Sequence, residues 1–264
     1  MRQFARSWNP MREGRMLKYH QFRGRLGMGD LHPGGAPATA HILRQLHARR
    51  VERVLEVGAG IGNTAVRMLD LGWDITALEP DPILFEALRK RLGHRARRES
   101  FLDHATAVPY DAIVAESVFC MLDVSRALTQ ARSLLKSGGY LAFVEAVWTD
   151  GVSAAQSSAW HEQTLSLFGM PVGSRERITW ADWLRLLHDF GFETQCAERL
   201  PRGAAGHPPT ASPRASIVAV LRDPRLVLWM ARYRARKRIA RMPSGVLESW
   251  IFVGKSPEDV PRDA

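Results

Sequence analysis

Five residues in one short stretch are spaced for ligand chemistry: Glu56, Gly58, Gly60, Gly62 and Glu79. The first four spell E-x-G-x-G-x-G. Glycine takes left-handed backbone at no steric cost and leaves room where a Cβ would collide with a bound molecule. Glu79 follows Gly62 by 17 positions. A carboxylate there, at the end of a strand, has two oxygens to accept from both hydroxyls of a ribose. A dinucleotide fingerprint needs G-x-G-x-x-G, and the third glycine's position holds Asn63.

Local elements must hold these residues in place. Val54-Leu55-Glu56-Val57 is a short apolar run suited to a buried parallel strand. After the glycines, Asn63 or Thr64 is expected to cap a helix carrying Ala65, Val66, Met68 and Leu69. Trp73 to Leu78 supplies a second strand ending on Glu79. The unit is strand, glycine turn, helix, strand and terminal acid, a nucleotide-binding βαβ.

This stretch resembles the first motif of class I S-adenosylmethionine-dependent methyltransferases, with Glu79 at that family's ribose-binding acid. Pro80, Asp81 and Pro82 follow it, with nothing basic for a 2′-phosphate. The resemblance implies an α/β fold, a Rossmann-like doubly wound sheet of about seven strands with the last antiparallel, plus an N-terminal cap and lid helices. It implies S-adenosylmethionine as cofactor and S-adenosylhomocysteine as product. The expected cofactor contacts are Glu56, Gly58, Ala59, Gly60, Gly62, Asn63, Glu79, Pro80, Ser100, Phe101, Glu116 and Ser117. The His32-Pro33-Gly34-Gly35 turn is similar to one in a small-molecule subgroup.

Further along, Pro82 opens a helix to Leu92, and a weak strand lies near Ala96 to Phe101. Tyr110–Glu116 resembles the family's fourth motif, and Asp123 caps a helix that stops at Ser137-Gly138-Gly139. Tyr140 to Val147 makes a fifth strand. Thr179 and Asp182 form a capping-box variant, Phe192 to Glu198 a sixth strand, residues 203–209 a loop, and Gly245 to Gly254 the last strand. The domain reading is a cap at 1–35, a cofactor-binding core at 36–150 and a substrate lid at 151–178. Residues 179–264 complete the core and carry an inserted basic helical segment, 214–242. Residues 256–264 read as a frayed tail.

A general base is needed only where the acceptor must lose a proton. Glu116, His161 and Glu145 are the candidates, with His32 and His20 behind them. No Asp/Asn cluster compels a magnesium site, and Cys120 and Cys196 sit apart in apolar runs, so no metal is expected. After the fourth strand the chain reads ESVF, without the D/N-P-P signature of nucleobase and glutamine amino-methyltransferases.

The formal net charge of +10 is dominated by arginine and admits anionic substrates, nucleic acid or a membrane surface. No apolar run reaches roughly 18 residues and no signal-peptide core opens the chain, so a cytoplasmic location is expected. The acceptor expected is a natural-product or lipid-like small molecule, anionic in one version, in a monomer or homodimer. Contact with anionic membranes through the basic helix is a further expectation; nucleic acid is not expected as a partner. The alternatives are an RNA methyltransferase and a catalytically silent S-adenosylmethionine-binding protein.

Overall fold

A computed structural model describes residues 17–201, 213–239 and 245–258. The loop expected at 203–209, residues 259–264 of the expected tail and residues 1–16 of the expected cap lie outside the described residues; residues 256–258 are not frayed, since Ser256 is buried and bonded to the Gly139 carbonyl. Among the described residues, seven strands form one sheet: β1 (Arg53–Val57), β2 (Asp74–Leu78), β3 (Ala96–Arg97), β4 (Tyr110–Glu116), β5 (Leu135–Trp148), β6 (Glu193–Arg199) and β7 (Leu247–Lys255). Their order is β3-β2-β1-β4-β5-β7-β6. The first five pair in parallel, and β7 runs antiparallel between β5 and β6.

Both faces of the central strands β1, β4 and β5 are buried, which is why these read as near-continuous apolar runs rather than alternating ones. One face sends Leu55, Ile113, Leu141 and Phe143 toward helices α5 (Val124–Leu134) and α7 (Trp180–Asp189). The other sends Val54, Ile75, Val114 and Val144 toward α2 (Gly35–His47), α3 (Asn63–Asp70) and α4 (Pro82–Leu92). The remaining helices are α1 (Tyr19–Arg25), α6 (Ala154–Phe168), α8 (Pro213–Arg222) and α9 (Arg225–Ile239). Leu226, Trp229 and Tyr233 of α9 bury against Phe22 and Leu26, and so form a separate small core with the α1 region.

The boundaries differ from the sequence reading at three places. The residue preceding α3 is Gly62, in left-handed backbone at φ 84°, rather than Asn63 or Thr64, and no side chain caps that helix. The third strand is only two residues long because Ser100 turns the chain into a 3-10 turn at Phe101–Asp103. Helix α5 stops at Leu134, and the Ser137-Gly138-Gly139 turn lies inside β5, where its pairing with β4 is irregular.

Candidate active site

The carboxyl ends of β1, β2 and β4 open on a cavity of about 530 Å³. Open α/β sheets bind ligands at this position. Glu56, Gly58, Ala59, Gly60, Asn63, Glu79, Pro80, Ser100, Phe101, Glu116 and Ser117 all line it. Gly62 does not. Its role is to turn the chain, since a Cβ there would sit 2.7 Å from Leu88. At Gly60, φ is 58° and a Cβ would meet no protein atom within 4 Å, so the turn leaves open space for a ligand.

Glu79 is buried, and its carboxylate spans the glycine turn. Oε2 accepts from the Gly60 amide at 2.8 Å and Oε1 from the Asp81 amide at 2.8 Å. Each oxygen keeps a further lone pair. Burial pushes Glu79 up to about 7, against the pull of those two amide bonds. Glu56 is buried at 4% exposure with no partner for Oε2. Its pKa is raised by burial first, then by the charges of Glu116 and Glu79. A buried carboxylate oxygen without a donor suits a cationic ligand group.

Glu116 ends β4 and lines the cavity; each of its oxygens accepts one hydroxyl, and the His32 Nε2 lies 3.4 Å from Oε1. Thr39 donates to Oε1 at 2.7 Å and Thr64 to Oε2 at 2.7 Å. The His32 Nε2 lies 3.1 Å from the Thr39 hydroxyl, and its Nδ1 lies 3.1 Å from the Pro33 carbonyl. Both ring nitrogens are engaged, so His32 lines the cavity without aiming either of them into it.

Glu145 and His161 are not among the cavity-lining residues. Glu145 is 2% exposed and accepts from the Phe119 amide at 2.7 Å. Burial raises it to about 7, opposed by backbone bonds from Phe119, Cys120 and Val118. It thus holds the loop after β4 from behind. His161 faces the Gly173 carbonyl at 2.8 Å on α6.

Asp30 and Ser117 take positive φ, 55° and 57°, which is uncommon away from glycine, and both line the cavity; Ser117 is among the expected contacts, whereas no motif marks Asp30. Asp30 receives a bidentate pair of bonds from Arg67, at 2.7 and 2.9 Å, which ties the N-terminal segment to α3. Asp81 caps α4 and also accepts from Gln21 of α1 at 2.6 Å. Burial pushes Asp81 up, but bonds from Gln21, Leu84 and Ile83 outweigh it and leave the carboxyl below its usual range. Helix α1 therefore roofs the cavity, with His20 and Gly24 facing it. The lining also includes Met28, Leu31, Met121, Leu122 and Met170, an apolar set. Among the described residues no arginine of α8 or α9 lines the cavity. Among the described residues one His/Cys/Glu group, His41, Cys196 and Glu198, comes within 4.8 Å, and it too lies outside the cavity lining.

The chain matches the profile of the methyltransferase-domain family over residues 35–197 and belongs to that family. It is 24% identical over 202 residues to the uncharacterized methyltransferase YodH of Bacillus subtilis, covering 74% of this chain and 83% of that one. Two solved structures share the fold. A sarcosine dimethylglycine methyltransferase from Galdieria sulphuraria superposes with a TM-score of 0.63 at 15% identity, covering 92% of this chain and 99% of that one. The 1,6-didemethyltoxoflavin-N1-methyltransferase of Burkholderia thailandensis, with its substrate and S-adenosylhomocysteine bound, gives 0.54 at 17% identity, covering 91% and 84%. The protein is a class I methyltransferase that uses S-adenosylmethionine. The residues fit that cofactor: the unpartnered Glu56 oxygen and the open space at Gly60 suit its charged and bulky parts.

Ligand linkage gives a first check. S-adenosylhomocysteine at about 100 times its Kd is expected to stabilise the protein by about 2.7 kcal/mol, which raises the melting temperature by several degrees. NADP at the same concentration should give no shift, because the residues after Glu79 offer no cation; a larger NADP shift would reverse the assignment.

Proposed function

We propose that the chain methylates an apolar, natural-product or lipid-like small molecule held between the segment before α2, the loop after β4 and Met170. The single observation that carries this reading is the apolar part of the cavity lining, where Met28, Leu31, Met121, Leu122 and Met170 present thioether and aliphatic surface. Anionic recognition through the α9 arginines, one version of the sequence reading, gains no support, because among the described residues no α9 arginine lines the cavity. Arg236 instead donates to the Leu167 carbonyl at 2.9 Å.

S-adenosylmethionine supplies an electrophilic methyl group, so the protein's contribution is chiefly alignment, which can supply roughly 7–11 kcal/mol in favourable cases. In this reading Glu79 holds the ribose hydroxyls, Glu56 and the glycine turn hold the charged end, and Ser100 with Phe101 border the base. The strained Ser117 and the loop to Leu122 border the acceptor. Phe119, packed on Phe143 at 5.0 Å, keeps that loop rigid. With Glu116 bonded by two hydroxyls, its role is to fix α2 and α3 against β4, and methyl transfer by positioning alone is the favoured chemistry. Residues 17–35 serve as the cap and the 151–178 segment as the lid that exclude water.

The test is a transfer assay with methyl-labelled S-adenosylmethionine and a panel of apolar phenols, amines and thiols. Label should enter organic-extractable product, and Met121→Asp should raise the acceptor KM about tenfold or more by placing a charge in the apolar wall. Met121 is 49% exposed, so folding and cofactor affinity should hold. Label entering RNA, or a Met121→Asp enzyme with unchanged KM, would overturn the reading.

A further inference from the structure

We propose that the α8–α9 hairpin docks flat on an anionic lipid surface. Residues 213–239 carry eight Lys and Arg against the single acid Asp223, a net +7 out of the chain's +10. The same two helices expose Ile217, Val218, Leu221, Val227 and Leu228, with Leu221 at 76% and Leu228 at 52%. Five exposed aliphatics on consecutive helices are too many for scattered surface residues, and they mark an interaction face.

The hairpin is not an element missing its core. Leu226, Trp229 and Tyr233 are buried against α1, and the Tyr233 hydroxyl donates to the Leu17 carbonyl. The aliphatics point away from a packed face. Arg222 and Arg234 are exposed on the same hairpin. An apolar strip edged by guanidinium groups matches the acyl–headgroup boundary of an anionic leaflet, where the strip enters and the arginines meet phosphates.

Other occupants fit less well. RNA recruits arginines, but its binding to phosphates and stacked bases gives no use to five bare aliphatics. A second copy docked on the same face would bring +7 against +7. Among the described residues no helix is long and apolar enough to cross a membrane, so the contact is peripheral. Helix α9 packs on α1, and α1 roofs the cavity, so the docked face lies one helix from the acceptor space. The docking stands on the hairpin's own surface and does not depend on which acceptor is methylated.

Co-sedimentation of the full chain with vesicles tests it. At low salt the protein should pellet with vesicles containing phosphatidylglycerol and stay in solution with pure phosphatidylcholine. Arg222→Gln and Arg234→Gln should each weaken partitioning about fivefold, and Leu221→Glu with Leu228→Glu should weaken it about tenfold or more. The S-adenosylhomocysteine-induced melting shift should persist in every variant, showing an intact fold. Equal binding to neutral vesicles, or none to anionic ones, would overturn the proposal. So would a leucine variant that still binds vesicles, competition by an RNA homopolymer that leaves the leucine variants unaffected, or a dimer that Leu221→Glu dissociates.

Discussion

Alanine in place of Glu79 should weaken S-adenosylmethionine binding by about 30- to 1000-fold, the loss of two charge-assisted hydrogen bonds worth roughly 2–4 kcal/mol. The structure adds a second reason for a large effect. The same carboxylate accepts the amides of Gly60 and Asp81, so its removal also loosens the glycine turn and the start of α4. Glu79→Gln separates the two contributions, because its amide oxygen can still hold one backbone donor while the charge is gone. Calorimetry on variants whose thermal unfolding stays cooperative provides the measurement. An unchanged Kd for Glu79→Ala would remove this residue from the cofactor site.

The second large effect is on pH. Glu79 and Glu145 titrate near 7 in the folded chain, and Glu56 is raised as well, all chiefly by burial. An acid whose folded pKa lies above its unfolded value binds more protons when folded, so stability falls as pH rises between the two. The window for Glu79 and Glu145 runs from about 4.5 to about 7. Each contributes on the order of 3 kcal/mol across it. His20, lowered by burial, works in the opposite direction, with stability rising as pH approaches its ordinary value.

Without ligand, the melting temperature should therefore fall between pH 5.5 and 8, and Glu79→Gln should flatten that fall. The cofactor's cationic groups and ribose hydroxyls favour the ionised carboxylates. Binding near pH 6.5 should release about one proton, so affinity rises toward pH 8. Titrations in buffers of different ionisation enthalpy count that proton directly. A Kd identical at pH 6 and pH 8, with no buffer dependence, would mean that Glu79 is already ionised before the ligand arrives.

The βαβ unit around Gly58–Gly62 was legible because each of its signals is local. A short apolar run, a turn that only glycine tolerates and an acid at a strand end are all set by neighbouring residues. Strand β4 was read at Tyr110–Glu116, and the Asp123 and Thr179 caps were read for the same reason. What side chains do across the fold was not legible. Glu116 reads as a candidate base because it ends a strand beside the site; only the fold shows that Thr39 and Thr64, 77 and 52 residues away in sequence, donate to its two oxygens. Glu145 lies near the carboxyl end of β5 and accepts from the buried Phe119 amide. The Asp30–Arg67 clamp carries no sequence signature, since it arises where two distant segments meet. The arginines of α9 showed their charge in the sequence. Only the packing of Trp229 and Tyr233 on α1 shows which side of α9 is buried, and among the described residues none of its arginines lines the cavity.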